Sequence, residues 1–185
     1  MKKFLVFSVI GILVIIILLV GVGYLRLKQT KSLSPEDHVV FHQDDLSITV
    51  FYNRPYKKER EIFGKLVPYG KVWRTGANEA TTFETNKDLK IDGSILKAGK
   101  YSLWTIPGEE SWTVIFNSEH GQWGINSDGQ ANRNPERDVL KVEALSVKQE
   151  RVFEQFTIAF ETTSEEIEMV LLWDTTLVAV PFTDR

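Results

Sequence analysis

The chain has 185 residues, 43% hydrophobic and 25% charged, with five tryptophans, eleven phenylalanines, no cysteine and a net charge of −3. This composition excludes a disordered chain, disulfide bonds, thiolate-bound metals and a lipid-modified cysteine, and the length fits one domain plus a short extra segment. Residues 32–185 hold 17 basic against 25 acidic side chains, a net charge of −8 that has the wrong sign for binding nucleic-acid phosphates.

The first predicted element is a membrane-spanning helix from Phe4 to Leu25. This stretch has no charged side chain, and as a helix it would span about 33 Å, close to the thickness of a bilayer's hydrocarbon core. A cleaved signal peptide is the alternative, but its apolar region is normally about 7–15 residues long and is followed by small residues. We therefore favour a retained membrane anchor over residues 1–26, followed by a polar linker over residues 27–36. Basic residues flank the helix on both sides, so the positive-inside rule gives no clear orientation.

Residues 37–185 are predicted to form an all-β domain. Apolar and polar residues alternate in segments such as Leu46–Tyr52, and turn signals such as Asp92-Gly93 recur about every 8–12 residues. This spacing predicts an antiparallel β-sandwich or a barrel-like domain, with Trp104, Trp112 and Trp173 in its core. The last four predicted strands are 138–147, 152–160, 167–173 and 177–182. A short helix is predicted only over Lys58–Val67, where Pro68 would end it.

One stretch, Pro68 to Thr82, combines an aromatic ring, a guanidinium, an amide and a carboxylate around a glycine. Arg74 offers a planar fork for a carboxylate or phosphate, and Asn78 can cap or bridge a turn. Glu79 can pair with Arg74 or act as a base. A buried Arg–Glu pair, with Asn78 holding a tight turn, is the favoured explanation of these residues, and a site that faces a ligand is the alternative.

A second unusual stretch is the connection from Ser118 to Arg137, about twenty residues without a strand pattern. Connections of this length are uncommon inside a compact domain and are often functional. Exposed tryptophans beside polar side chains are typical of sugar sites, and Trp73 and Trp123 both lie outside the predicted strands. With Arg54 from a local basic segment, the candidate ligand-binding residues are Arg54, Trp73, Arg74, Asn78, Glu79 and Trp123.

The sequence contains none of the common catalytic signatures. G-x-S-x-G, P-loop, H-E-x-x-H and dinucleotide-binding glycine patterns are all missing. His38 and His42 would lie about 13 Å apart along one strand, too far to share a metal ion. We therefore predict no metal site and no cofactor, and the catalytic residues of any activity stay unidentified.

A family resemblance is carried by the runs Arg54-Pro55, Arg60–Gly64, Leu66–Thr81, Ala98–Leu103, Thr105–Gly108, Trp112–Ile115, Gln122–Gly124 and Asp138–Leu140. From about Ser34 to Phe182 the sequence resembles the bacterial domain-of-unknown-function family 2911. The resemblance implies a compact β-rich domain, often behind an export signal, and it implies no activity. The sequence departs from the family pattern at Glu59 and Lys97, where Gly and Pro are usual.

Three hypotheses about function follow. The first is a non-enzymatic binding or interaction module, held by one helix on the extracytoplasmic side of the cell membrane, with a small polar, anionic or glycan-like ligand. The second is an enzyme of unknown class, such as a hydrolase that uses Glu79. The third is a structural domain whose partner is another protein. The sequence does not determine the oligomeric state.

Overall fold

The computed structural model describes residues 2–163 and 166–184 in two separate units, helix α1 (Lys2–Leu33) and a β-domain that starts at Ser34. The side chains of α1 from Ile10 to Thr30 are exposed. By length and composition alone, Ile10–Leu33 is able to cross a membrane, and a signal sequence and a membrane anchor share these properties. The N-terminal segment therefore indicates the secretory pathway.

Helix α1 extends beyond the apolar stretch to Leu33, so residues 27–33 of the predicted linker are helical. Leucine, lysine and glutamine, which are common in this part of the chain, all have high helix propensity. The helix ends at Leu33. Ser34 precedes Pro35, and a residue that precedes a proline is disfavoured in the α conformation.

Nine antiparallel strands, counted over the described residues, form one open sheet. They are β1 (Glu36–Gln43), β2 (Leu46–Asn53), β3 (Thr82–Thr85), β4 (Leu89–Ile91), β5 (Ser94–Leu96), β6 (Gly99–Ile106), β7 (Ser111–Asn117), β8 (Asp138–Thr162) and β9 (Ile167–Asp184). Their order across the sheet is β1-β2-β3-β6-β7-β8-β9-β4-β5, so β1 and β5 are its edges. The prediction of a mostly β, antiparallel domain is confirmed, whereas the barrel-like alternative is wrong because the sheet does not close.

The two longest strands, β8 and β9, join the halves of the sheet. β8 pairs with β7 up to Leu145 and with β9 from Ser146 onward, and its register with β9 shifts twice between Lys148 and Thr157. The alternating pattern of the sequence predicts four separate strands here. The chain instead stays in the sheet, because extra residues in one strand of a pair are accommodated as β-bulges.

Both halves of the sheet contribute to one apolar core. The inward side of β2 alternates as predicted, and its residues Leu46, Ile48, Val50 and Tyr52 are buried. One part of the core is an aromatic cluster, in which ring centroids are separated by 4.8–6.2 Å. It consists of Phe63, Trp73, Trp112, Phe156 and Trp173. The predicted burial of Trp104, Trp112 and Trp173 is confirmed.

The helix predicted over Lys58–Val67 is absent, and the segment forms turns. Lys58 and Glu59 both adopt left-handed backbone conformations, with φ values of 48° and 59°, which a right-handed helix excludes. The backbone N–H of Lys58 donates instead to the carboxylate of Glu154 in β8, at 2.9 Å. A tertiary hydrogen bond therefore replaces the weak local preference for a helix.

Candidate functional site

The candidate site is built on residues 74–80, here called the Arg74 loop. The chain is hydrogen-bonded to β6 both before and after this loop. Before the loop, Trp73 and Thr105 exchange two backbone hydrogen bonds of 2.7 and 3.0 Å. After it, the N–H of Leu103 donates to the carbonyl of Thr81 at 2.8 Å. Both ends of the Arg74 loop are therefore fixed to one strand.

Three residues of the Arg74 loop have positive φ angles, namely Thr75 at 53°, Gly76 at 153° and Asn78 at 55°. Positive φ is rare for a β-branched residue. Here it is stabilised by a hydrogen bond between the Thr75 and Thr105 hydroxyls at 3.1 Å. A Cβ atom at Gly76 would lie 2.9 Å from the carbonyl oxygen of Asn53, so glycine is required. Strained backbone of this kind clusters at functional sites.

Asn78 is buried in a network of amides that fixes the far side of the Arg74 loop. Its Nδ2 donates to Asn53 Oδ1 at 3.1 Å and to the carbonyl of Ser34 at 3.3 Å. Asn53 Nδ2 in turn donates to Glu79 Oε2 at 2.9 Å. Two predicted ligand-binding residues, Asn78 and Glu79, therefore have partners inside the protein and shape the loop.

We expect Asn78→Ala to lower the free energy of unfolding by about 1–3 kcal/mol, because it leaves buried acceptors on Asn53 and Ser34 without a donor. Urea unfolding followed by tryptophan fluorescence measures the change. Asn78→Gly is the matched variant, since glycine removes the amide while accepting the positive φ angle. If Asn78→Gly unfolds at the wild-type urea concentration, the amide network does not stabilise the loop.

Trp73 is a member of the aromatic cluster. Its ring centroid is 5.0 Å from that of Phe156 and 5.9 Å from that of Trp173, and its Nε1 donates to the carbonyl of Gly76 at 2.9 Å. These contacts favour a structural role, in which Trp73 fixes the start of the Arg74 loop.

Arg54 uses all three of its guanidinium nitrogens in contacts within the domain. Nη1 pairs with Asp37 at 3.0 Å, Nη2 donates to the Thr157 hydroxyl at 2.9 Å, and Nε donates to the carbonyl of Phe156 at 3.1 Å. These bonds join β1 to β8, so they favour a structural role for Arg54 as well.

Arg74 differs from the other predicted residues. Its Nη1 atom is buried, and no hydrogen-bond partner for this atom lies among the described residues. Burial lowers the pKa of the Arg74 guanidinium, and the negative charge of Glu79 opposes this effect. The charge of Glu79 therefore favours the charged guanidinium, but the two N–H bonds of Nη1 have no partner among the described residues. A buried donor without a partner costs about 1–3 kcal/mol.

A second, smaller apolar cluster explains where the long connection over residues 118–137 packs on the sheet. Trp104 and Ile115 form a small apolar cluster there with Ala80, and Val72 and Ala131 pack against it. The large Trp104 side chain is fully buried, so the chain segments that cover it remove substantial apolar surface from water. The Arg74 loop and the long connection both contribute to this covering layer.

Residues 118–137, here called the cover loop, contact the Arg74 loop directly. The N–H of Ala80 donates to the carbonyl of Gln122 at 3.1 Å. A Cβ atom at Gly124 would lie 2.5 Å from Arg74 Cδ, so only glycine permits this approach. Trp123, the remaining predicted residue, lies in the cover loop and is 39% exposed. The structure therefore brings Arg74, Asn78, Glu79 and the segment around Trp123 into one region.

Two further residues of this region were not predicted from the sequence. Gln122 Oε1 and Asn132 Oδ1 are buried acceptors for which no donor is found in the described part of the chain. The N–H of Asn132 donates to the carbonyl of Gly124 at 3.3 Å, which ties Asn132 to the glycine that contacts Arg74. The run Gln122-Trp123-Gly124 belongs to the family resemblance and was the available signal, whereas nothing local marks Asn132.

The cover loop is closed at its base by a buried ion pair between Asp138 and Arg133, whose side chains are 6% and 11% exposed. Asn117 Nδ2 also donates to the Asp138 carboxylate at 2.8 Å. Burial raises the pKa of Asp138, but the hydrogen bonds from Arg133 and Asn117 outweigh it and hold the pKa below its usual range. The cover loop is therefore a packed part of the domain.

A surface pocket of about 410 Å³ lies apart from these residues, beside β4 and β9. Its charged lining residues are Lys90, Asp92, Glu143 and Glu166. Within residues 2–163 and 166–184, no group of three or more histidine or carboxylate side chains is arranged to hold a metal ion. The pocket contains none of the predicted site residues.

Fold and site together define a β-sheet domain behind an apolar N-terminal helix, with an arginine partly enclosed between two loops. The chain belongs to a family of proteins of unknown function, DUF2911, which it matches over residues 34–182. This match confirms the resemblance drawn from the sequence motifs and covers nearly the whole β-domain. No curated protein and no solved structure matches the chain.

Proposed function

We propose that this protein is a membrane-tethered, extracytoplasmic binding module, and that its ligand occupies the region between the Arg74 loop and the cover loop. The observation that carries the proposal is the buried Nη1 atom of Arg74, which has no hydrogen-bond partner among the described residues. Buried polar groups in proteins are nearly always hydrogen-bonded. A small ligand with an anionic or other acceptor group would supply the missing bond to this atom.

The site combines rigidity with a place for an apolar part of the ligand. The Arg74 loop is fixed by the Asn78 network and by the Trp73 contacts, so the backbone that carries Arg74 is held in place before binding, which reduces the entropy lost on association. Trp123 exposes part of its ring in the cover loop and offers a surface for the face of a sugar or another ring.

Retention of α1 as a membrane anchor is part of the same proposal. The apolar stretch is longer than the apolar region of a typical signal peptide, and it ends in Tyr24 and Leu25, followed by Arg26, where a cleavage site would have small residues. We also propose that the two halves of the sheet pack as the two layers of a sandwich. The domain lies on the extracytoplasmic side of the membrane in this proposal, because export signals place the domains behind them on that side.

A hydrolase that uses Glu79 as its acid or base has less support. A carboxyl group in either role works best with a pKa raised toward the working pH. The positive charge of Arg74 and the Asn53 amide both favour the ionised carboxylate instead.

Thermal unfolding of the full chain in detergent micelles, followed by tryptophan fluorescence, tests the proposal. The panel contains carboxylates, phosphates and N-acetylated hexosamines. A ligand at 100 times its dissociation constant adds about 2.7 kcal/mol to the stability, which raises the melting temperature by several degrees. We expect Arg74→Met to abolish this rise, because methionine keeps the aliphatic contact with Gly124 but has no N–H.

Arg54→Met is the matched control, because it removes a guanidinium that bonds only within the domain. This variant should melt at a lower temperature and still respond to the ligand. The proposal fails if no compound raises the melting temperature of the wild-type chain, or if the rise persists in Arg74→Met. A large fall in the melting temperature of Arg74→Met without ligand would indicate a structural role for Arg74.

A further inference from the structure

We infer that the ligand of the Arg74 site carries a hydrogen-bond donor next to its anionic group, as 2-hydroxy and 2-amino carboxylates do. The inference rests on the proposed function and specifies its ligand. It arises from the polarity of the buried atoms that find no partner in residues 2–163 and 166–184, because these atoms include acceptors as well as a donor.

The acceptors are Gln122 Oε1 and Asn132 Oδ1, and both are buried. An amide oxygen accepts hydrogen bonds and donates none, so only an O–H or N–H group satisfies it. Arg74 Nη1 has the opposite polarity and requires an acceptor. A bare anion would satisfy Arg74 and leave both amide oxygens unpaired.

The three residues belong to one region of the fold. Gly124 contacts the aliphatic part of Arg74, with a Cβ position only 2.5 Å from Cδ. The carbonyl of the same glycine accepts a hydrogen bond from the N–H of Asn132, and Gln122 lies two residues before it in the chain. The Gln122 carbonyl also bonds to Ala80 at the end of the Arg74 loop. The unpaired donor and acceptors are therefore held by segments in direct contact.

In the part of the chain that the structure describes, two other buried atoms lack partners, and they belong to different parts of the domain. Arg133 Nε is part of the ion pair with Asp138 at the base of the cover loop. Trp173 Nε1 is part of the aromatic cluster. Neither contributes to the inference.

The Gln122 side chain is also held in place. Its Nε2 donates to the carbonyl of Glu119 at 3.3 Å, which distinguishes the nitrogen from the oxygen and leaves Oε1 as the unpaired atom. An acceptor that is fixed in this way discriminates between ligands with and without a matching donor. Loss of one such hydrogen bond weakens binding about tenfold.

Calorimetric titration of the full chain in detergent with four probes tests the inference. The probes are propionate, 2-hydroxypropionate as both enantiomers, 2-aminopropionate and inorganic phosphate. We expect 2-hydroxypropionate or 2-aminopropionate to bind about tenfold or more tightly than propionate. Propionate has the same carbon skeleton and lacks only the donor, so the ratio of dissociation constants isolates the donor's contribution.

Variants at Gln122 distinguish the contribution of its side-chain oxygen from that of its side-chain nitrogen. Gln122→Met removes both groups at similar size, and we expect it to reduce the ratio toward one. Gln122→Glu keeps an oxygen acceptor, but it loses the bond to Glu119 and adds a negative charge that weakens the binding of every anionic probe. The ratio of dissociation constants should still be retained, because the acceptor for the donor group remains. Asn132→Ala provides the same test for the second acceptor.

The outcomes separate the inference from the proposed function. If propionate and the substituted acids bind equally and only when Arg74 is present, the inference is wrong and the proposed function stands. A ratio that persists in both Gln122→Met and Asn132→Ala also overturns the inference. Failure of all four probes contradicts the inference, and if no compound of the thermal panel binds either, the proposed function fails with it.

Discussion

Asp138→Ala should lower the free energy of unfolding by about 3–5 kcal/mol, because removal of one partner of a buried ion pair leaves the other charge uncompensated. The side chains of Asp138 and Arg133 are 6% and 11% exposed, so little water reaches Arg133 in the variant. The substitution also removes the acceptor for Asn117 Nδ2, which helps to close the base of the cover loop. The effect is therefore larger than that of a surface ion pair.

Urea unfolding measures this change, with Lys141→Ala as the matched control. The ammonium group of Lys141 lies 3.1 Å from the same carboxylate, but its side chain is 56% exposed. Exposed ion pairs contribute about 0–1 kcal/mol, so the control should unfold close to wild type. Equal losses in the two variants would show that burial of the Arg133 pair contributes nothing.

The pH dependence follows from the lowered pKa of Asp138 in the folded state. An unfolded aspartate has a pKa of about 3.9, so the stabilisation is fully present above that pH and is lost as the pH falls through the lower folded value. The difference in stability between wild type and Asp138→Ala should therefore shrink below about pH 4. A difference that stays constant to lower pH would contradict this assignment.

Trp112→Ala is expected to destabilise the domain by about 3–5 kcal/mol, because it opens a large cavity in the aromatic cluster. The side chain is 2% exposed, and its ring centroid lies 4.8 Å from that of Phe63 and 6.2 Å from that of Trp73. Since Trp73 fixes the start of the Arg74 loop, the cavity should also loosen the candidate site and weaken ligand binding.

Trp123→Ala is the matched control for size, since Trp123 is 39% exposed and lies in the cover loop. We expect a stability loss of less than about 1 kcal/mol, as for most exposed positions. Urea unfolding followed by far-ultraviolet circular dichroism avoids the change in tryptophan signal. If Trp112→Ala is no more destabilising than Trp123→Ala, the aromatic cluster does not stabilise the domain.

Local patterns predicted much of the fold. The alternation in β2 placed its buried side correctly, and Asp92-Gly93 forms the hairpin turn between β4 and β5, with both residues at positive φ. These features depend on residues that are neighbours in the sequence. The lengths of β8 and β9 could not be predicted, because their bulges are stabilised by pairing between distant parts of the chain.

The candidate site was predicted only in part, for a related reason. The sequence identified Arg74 and its glycine-containing loop, but the role of each neighbour depends on which side chains the fold buries together. Arg54 bonds to residues more than a hundred positions later, which no local pattern indicates. The buried acceptors of Gln122 and Asn132 depend on how the cover loop packs against the Arg74 loop, and their residue types alone do not reveal it.

A crystal structure of the full chain with the panel compound that gives the largest thermal shift tests the central claim most directly, because it shows what Arg74 Nη1 contacts. We expect an acceptor atom of the compound within about 3.2 Å of Nη1, between the Arg74 loop and the cover loop. A compound bound elsewhere on the domain, with Arg74 Nη1 bonded only to water or to the protein, would contradict the account.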